Sequence, residues 1–377
     1  MRKGLKTILQ LLAAGTRKPG AGRKLTPKLV FTQRLTLFAW IAYLASMQPL
    51  FPTSYSTFCT SALASYISET YGLGPATCQL LLRGVGDTYL IKTDADWFIL
   101  RVYRATHRSL PQIQAETTLL LALKKAGVLV SYPIFDLAGQ EIQALPAAEG
   151  TRHAVLFTFA PGQSVAILNH RQLQLLGSQM ARFHTISSST QLNDSRWTFD
   201  VETMLVQPLE MVKEAFNDFP EDYAWLQEIS RETQDRLASL NTSSFSSGYC
   251  HFDFMPKNFH FEGNEKLTFF DFDFFGQGWL VNDLMTFREQ LCLDVLSGRM
   301  TQNAAEIAFA TVVEAYREHR SLSDEEVAAV SSLSVGFWFF YLGFYATHDQ
   351  FTPHLQPARL QQRMSLFRRL NEKFWNK

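Results

Sequence analysis

From Cys78 to Tyr103 short apolar or β-branched runs alternate with polar turns. Leu80–Arg83, Thr88–Lys92 and Trp97–Tyr103 read as strands. They are separated by Gly84-Val85-Gly86-Asp87 and Thr93-Asp94-Ala95-Asp96, residues that reverse a chain at low cost. Leu110 to Ala126 then predicts a helix, stopped by Gly127. Strand-like text resumes around Val128–Phe135 and Ala154–Phe159, and Ala160-Pro161-Gly162 breaks the pattern. This half predicts a small antiparallel sheet with one helix.

After the break the period changes. Leu173, Leu176, Met180 and Phe183 recur at spacings of three, four and three, one buried face of a helix. Helices are also expected over 201–240, 302–320 and most of 324–377. The apolar run from Leu333 to Ala346 spans 14 residues, shorter than a membrane span needs, and predicts a buried core helix. One strand insertion, Phe259 to Phe272, interrupts the helical text. The expected fold is α+β and bilobal, with a β-rich lobe over 47–159 and a larger, mostly helical lobe over 160–377. Ligands favour the cleft between such lobes.

Charge changes the picture at one end. Lys+Arg and Asp+Glu each number 35 in the 377 residues, but residues 1–46 hold nine basic residues and no acidic one. The remainder therefore carries 26 basic against 35 acidic residues, a poor surface for nucleic acid, whose phosphates need a cationic surplus. Within the basic stretch the apolar run Leu35–Ala45 has 11 residues, too few for a stable membrane span. Residues 1–46 are expected to be an extension outside the working fold, which would begin near Met47. The four cysteines form no C-x-x-C pair, which argues against a zinc site or redox dithiol and for reduced thiols in the cytoplasm.

The polar residues that carry chemistry are concentrated between Tyr249 and Asp283, set in aromatic text. His251 and Asp253 lie two apart, and Asn258 follows five after Asp253. A hairpin is predicted next, with strands Phe259–Phe261 and Leu267–Phe270 about the turn Glu262-Gly263-Asn264-Glu265. A hairpin returns its second strand to the start of its first, so Asp271 should come back beside Asn258 and Asp253. Two carboxylates and an amide oxygen are hard donors that suit Mg²⁺ bound to a nucleotide, with one carboxylate left to accept a hydroxyl proton. Asp273 is either a further metal ligand or a hydrogen-bond anchor. Asp283 should tie or cap the following helix, and His260 should alternate away from the metal. Lys257 is expected to be solvated or to touch phosphate.

The segments HFDFMPKN and FFDFD resemble the H-x-D-x-x-x-x-N and D-x-D signature of the aminoglycoside phosphotransferase and choline kinase superfamily, which has the protein-kinase-like fold. The likeness extends over about residues 50–377. It implies an ATP- and Mg²⁺-dependent kinase in which Asp253 is the catalytic base, His251 braces the catalytic loop, and Asn258 and Asp271 are metal ligands. It also implies a basic side chain on the third strand paired with an acid on the next helix, here Arg101 and Glu116. The family more often has Lys at that strand position. Gly84 and Gly86 would cover phosphates, Phe157–Gly162 would be the hinge that binds adenine, and residues 176–184 would form a helix behind the catalytic loop.

Only 11 residues separate Asp271 from Asp283, too few for a long activation loop carrying a peptide platform. Met255 stands where protein kinases commonly have Lys. The expected acceptor is therefore a hydroxyl on a small molecule, with a cationic amino alcohol suited to an acidic, aromatic lobe. The alternatives are an atypical protein kinase, a nucleotide-binding relative without transfer, and a metal hydrolase built on His251, Asp253, His260 and Asp271.

Overall fold

The computed structural model describes residues 52–376; the expectation for residues 1–46 falls outside them. From Tyr55 onward the chain forms one compact unit. It opens with helix α1 (Thr60–Tyr71). Next come strands β1 (Ala76–Arg83), β2 (Gly86–Thr93) and β3 (Trp97–Tyr103), helix α2 (Leu110–Lys125), and strands β4 (Ile142–Ala147) and β5 (Gly150–Thr158). Among the described residues these five strands make one antiparallel sheet in the order β1-β2-β3-β5-β4.

The two-residue period of β3 sorts its side chains. Leu100 and Val102 pack with Leu63, Ile67 and Tyr71 of α1 on one face of the sheet. Arg101 and Tyr103 alternate to the other face, where α2 lies and carries Glu116. One strand expectation fails. Val128–Phe135 makes only isolated bridges, Val130 to Phe269 and Pro133 to Phe157, because Pro133 lacks the N–H a ladder requires. The fifth strand is instead Ile142–Ala147, which takes Pro146 at the sheet edge, where a missing donor is tolerated.

The helical lobe follows with α3 (His170–Ser187), a short strand β6 (Trp197–Phe199), α4 (Gln207–Val212) and α5 (Pro220–Ala238). The helix expected over 201–240 is thus divided. A new helix starts at Pro220, with the proline in the first turn, where its missing donor costs nothing. Strand β7 (Ser247–Cys250) leads to the hairpin β8 (Phe259–Glu262) and β9 (Lys266–Phe269), then to β10 (Gly276–Trp279). Helices α6 (Val281–Leu296), α7 (Gln302–Arg317), α8 (Asp324–Thr347) and α9 (Pro357–Leu370) complete the lobe.

Helix α8 is long and apolar enough to cross a membrane by composition alone, yet 78% of its apolar window is buried inside the protein. Phe337, Phe339, Phe340 and Leu342 are core residues, as the run from Leu333 to Ala346 predicts. The 324–377 stretch is not one helix: it breaks at His348 and resumes at Pro357 after a 3₁₀ segment, Asp349–Leu355.

Candidate active site

The catalytic loop begins where β7 ends. Phe252 adopts φ +63, a left-handed conformation costly for a residue with a Cβ. Three contacts hold it there. Its amide donates to Asp283 Oδ1 at 2.6 Å, the His251 amide donates to Asp283 Oδ2 at 2.8 Å, and its ring stacks on Phe199 at 3.7 Å. Asp283, in the first turn of α6, also accepts from His184 Nε2 of α3 at 2.9 Å, and Tyr316 donates to His184 Nδ1 at 2.8 Å. Burial drives His184 toward its neutral form, which has one N–H to give and one lone pair to receive. Asp283 therefore ties the loop to two helices as well as beginning its own.

His251 uses both ring nitrogens. Nε2 donates to the Phe270 carbonyl at 2.9 Å, and Nδ1 accepts from the Asp253 amide at 3.3 Å. The ring spans from the loop to the residue before Asp271. It braces the site, and neither nitrogen is left for proton transfer.

Asp253 is almost fully buried. Its Oδ2 accepts from Asn258 Nδ2 at 2.7 Å and from Lys257 Nζ at 2.8 Å. Its Oδ1 is buried without a hydrogen-bond partner. Burial raises the Asp253 carboxyl above the ordinary carboxylate range, with Lys257 pulling the other way. A single helical turn, Pro256–Asn258, brings Lys257 and Asn258 back over Asp253. Asn258 Nδ2 also donates to the Asp253 carbonyl at 2.9 Å, so its amide oxygen remains for the cleft it lines.

The hairpin does what its sequence requires. Phe259 pairs with Phe269 and Glu262 with Lys266, and the Phe270 amide donates to the Asn258 carbonyl at 3.0 Å. Asp271 follows directly, also at φ +63. Two non-glycine residues in the left-handed region, one before Asp253 and one at Asp271, mark where the fold holds strain to aim a side chain. Asp271 accepts from Arg101, and Arg101 Nη1 lies 3.7 Å from Glu116 Oε1. Tyr103 donates to the other oxygen of Glu116 at 3.1 Å.

These groups border a cleft of about 430 Å³. Arg101, Glu116, Lys257, Asn258 and Asp271 supply its polar wall; Leu82, Ile99 and Phe157 are among the apolar residues. The donor set is one carboxylate and one amide oxygen at the cleft, with a second carboxylate behind them. Such a set suits a divalent ion that keeps phosphate oxygens as its other ligands. No cluster of three or more His, Cys, Asp or Glu residues able to hold a metal ion occurs among the described residues.

The sequence model described as "Phosphotransferase enzyme family" matches residues 77–320. The chain belongs to this family. It is 30% identical over 296 residues to an uncharacterised protein of Deinococcus radiodurans, covering 78% of this chain and 84% of that one. Among solved structures it resembles an amicoumacin kinase in complex with AMP-PNP, Ca²⁺ and Ami, with TM-score 0.63, 20% identity, and 81% and 93% of the two chains covered. It also resembles a microcompartment-associated aminopropanol kinase, with TM-score 0.64, 21% identity, and 84% and 99% covered. The fold is the protein-kinase-like fold of aminoglycoside phosphotransferases, and the protein is a phosphotransferase, as the signature implied.

Within this phosphotransferase four expected residues fall elsewhere. Asp273 does not face the cleft as a metal ligand. It is buried, and Arg108 binds it through two nitrogens at 3.0 Å each. Burial works against its ionisation, but Arg108, Arg101 and Arg196 hold its carboxyl below the usual range. Gly84 and Gly86 form the β1–β2 turn, with the Gly84 amide donating to the Gly86 carbonyl at 2.9 Å; the cleft is bordered there by Leu81, Leu82 and Thr88 instead. Gln350 donates to the Gly84 carbonyl, and His107 Nδ1 lies 3.0 Å from the Val85 carbonyl, so the turn is tied to the C-terminal segment. His260, expected to point away, lines the cleft and binds the Ala160 carbonyl through Nδ1 at 2.8 Å.

Two residues escape a reading by motif. Arg108 and Arg196 both grip the turn after Asp271. Arg196 donates to the Asp273 carbonyl, to Phe275 O at 3.1 Å and to Gln112 O of α2 at 3.4 Å. Together they bolt the start of α2, and so Glu116, to the segment that presents Asp271. The available signal was an unpaired Arg immediately before the capping Ser109 of α2, which alone says nothing of its partner.

Proposed function

We propose that this phosphotransferase transfers the γ-phosphoryl group of ATP to a hydroxyl of a small molecule, with Mg²⁺ as the divalent ion. The observation that carries this reading is the meeting of Asp253, Asn258 and Asp271 where the hairpin closes, beside a cleft that also holds Arg101 and Glu116. In it Asp253 takes the acceptor's proton. Asn258 and Asp271 hold Mg²⁺, which neutralises phosphate charge when bound. Arg101, fixed by Glu116, reaches the α- and β-phosphates as a planar fork. The backbone of Phe157–Gly162 takes the adenine, and Phe157, Phe159 and Ala160 border the cleft on that side. The bound AMP-PNP and Ca²⁺ of the similar amicoumacin kinase support a nucleotide with a divalent cation. Use of ATP favours a cytoplasmic location.

The acceptor fits best as a cationic amino alcohol. The Tyr341 side chain lies in the field of Asp253, Asp271 and Asp273, and Phe274 and Tyr345 flank its ring at 5.4 and 6.2 Å. Carboxylates and ring faces together favour a cation, and one similar structure is an aminopropanol kinase.

The test is phosphorus NMR of ATP turnover with Mg²⁺ and a panel of 1-amino-2-propanol, choline, homoserine, an aminoglycoside and a neutral sugar. A phosphomonoester formed together with ADP supports the reading. No ATP consumption with any acceptor, and no thermal stabilisation by MgATP, would remove it. Equal transfer to the sugar and the amines would remove the cationic clause alone.

A further inference from the structure

We propose that Lys257 is a catalytic residue whose ammonium touches the γ-phosphoryl group as it moves from nucleotide to acceptor. The proposal rests on the kinase reading above. In that reaction the γ-phosphorus forms a bond to the acceptor oxygen and loses its bond to the β–γ bridging oxygen. ADP departs with that electron pair, and the acceptor's proton passes to Asp253. Lys257 keeps its proton throughout and supplies positive charge only.

Placement comes first. Lys257 stands on the one-turn helix Pro256–Asn258, four residues after Asp253, so its side chain folds back to the carboxylate. Nζ lies 2.8 Å from Asp253 Oδ2, yet the side chain is 60% exposed whereas that of Asp253 is 3% exposed. The ammonium is therefore the solvent-side partner of a buried base. It borders the same cleft as Asn258 and Asp271, the two residues that supply oxygen donors for the nucleotide's cation. Lys257 thus touches the buried base and borders the cleft where the nucleotide's cation would be held.

The other cations are committed elsewhere. Arg101 is the second cationic side chain among the described residues bordering the cleft; held by Glu116, it is the group assigned above to the α- and β-phosphates, which leaves the γ-phosphoryl without a cationic side chain other than Lys257. Arg108 and Arg196 are spent on the turn at Asp273. Lys257 has one carboxylate partner and two further N–H groups to donate. The Asp253 carboxylate 2.8 Å away favours the charged ammonium. Phosphoryl transfer spreads negative charge over the equatorial oxygens, and a preorganised cation there stabilises the transition state.

A purely structural role is the competing account: Lys257 would serve only to keep Asp253 ionised. The two accounts differ in what they say about the γ-phosphate. Titration calorimetry on the full chain would measure MgADP and Mg–AMP-PNP affinity for the wild type, Lys257→Met, Lys257→Gln and Lys257→Arg. Contact with the γ-phosphoryl predicts that Met and Gln weaken Mg–AMP-PNP about tenfold, the size of one charged hydrogen bond. MgADP affinity should stay within about twofold, and Arg should restore most of the loss. Turnover should fall roughly 10²–10³-fold in the Met and Gln variants, as when one transition-state donor is removed. Equal loss of both nucleotides, or loss of neither, overturns the proposal while leaving the kinase reading intact. A wild type that binds neither nucleotide overturns both.

Discussion

The guanidinium of Arg101, on the third strand of the small lobe, donates to the carboxylate of Asp271 and lies 3.7 Å from Glu116. One side chain thus bridges the helix α2 carboxylate and the residue proposed to hold a divalent ion. A nucleotide carrying Mg²⁺ offers both partners something better: a doubly charged cation for Asp271 and phosphate oxygens for Arg101. Under the proposed function the Arg101–Asp271 contact would be exchanged for ligand contacts on binding. Asp271→Asn is expected to weaken divalent-dependent nucleotide binding by at least about tenfold, and to leave the weak binding seen in chelator unchanged. Calorimetric titration of ADP with Mg²⁺ and with EDTA checks this, and an equal loss in both would place Asp271 outside the metal's reach.

Asp253 separates binding from transfer in a different way. Its Oδ2 is saturated by Asn258 and Lys257, whereas its Oδ1 is buried with no partner. A buried carboxylate oxygen left unpaired is costly and has the chemistry to accept a proton. Asp253→Asn keeps the shape and removes the base. Nucleotide affinity should stay within a factor of about three, while kcat falls by roughly 10²–10⁴. Single-turnover measurement with saturating MgATP distinguishes this from a loss of binding. A variant with near wild-type kcat would assign the proton elsewhere.

The catalytic hairpin was legible in the sequence because its information is local. Asn258, the turn at Gly263 and Asp271 fall within 14 consecutive residues, and the pairing of Phe259 with Phe269 follows from turn length alone. The β3 alternation that sets Arg101 against Glu116 is equally local. What stayed hidden depends on distant partners. Asp273 sits in the same D-x-D text as Asp271, but its fate is decided by Arg108, 165 positions earlier, and no spacing rule connects them. His260 has alternation on its strand as expected, yet the hinge folds the Ala160 carbonyl onto it and makes it a wall of the cleft. The misplaced strand at Val128–Phe135 has the same origin: apolar text suits several buried settings, and only the completed sheet decides which segment has a free edge to pair with.

The Arg108–Asp273 pair gives a prediction about stability. Both side chains are nearly fully buried, and the guanidinium also lies 4.4 Å from the centre of the Trp197 ring. Removing one member strands the other as an unpaired buried charge, at a cost of about 3–5 kcal/mol. Arg108→Met and Asp273→Leu should each lower the thermal midpoint sharply. The double change Arg108→Met with Asp273→Leu should cost much less than the sum of the single changes, since neither charge is then stranded. Because α2 and the Asp271 turn meet at this bolt, the double variant should still bind MgADP more weakly than the wild type. Simple additivity of the two single effects would show that the pair is not coupled.

Acidity offers a reading of the base that does not depend on substitution. Burial raises the Asp253 carboxyl, against the opposing pull of Lys257 and His251 and with a contribution from Asp271 in the same upward direction. A base acts deprotonated, so activity is present above its pKa and is lost as pH falls through it. The acid limb of kcat/KM should therefore fall above the ordinary aspartate value of about 3.9. Stability should fail at lower pH than activity. Asp273 has a depressed carboxyl, so its contribution is present above the unfolded aspartate pKa and is lost only as pH drops through the lower folded one. Activity and circular dichroism measured across the same buffers should show an interval in which the fold persists and transfer has stopped. In Lys257→Met, which loses the charge that favours the carboxylate, the activity limb should move further upward while the unfolding transition stays in place. Coincident acid limbs for activity and unfolding in the wild type would mean that Asp253 is not the titrating base.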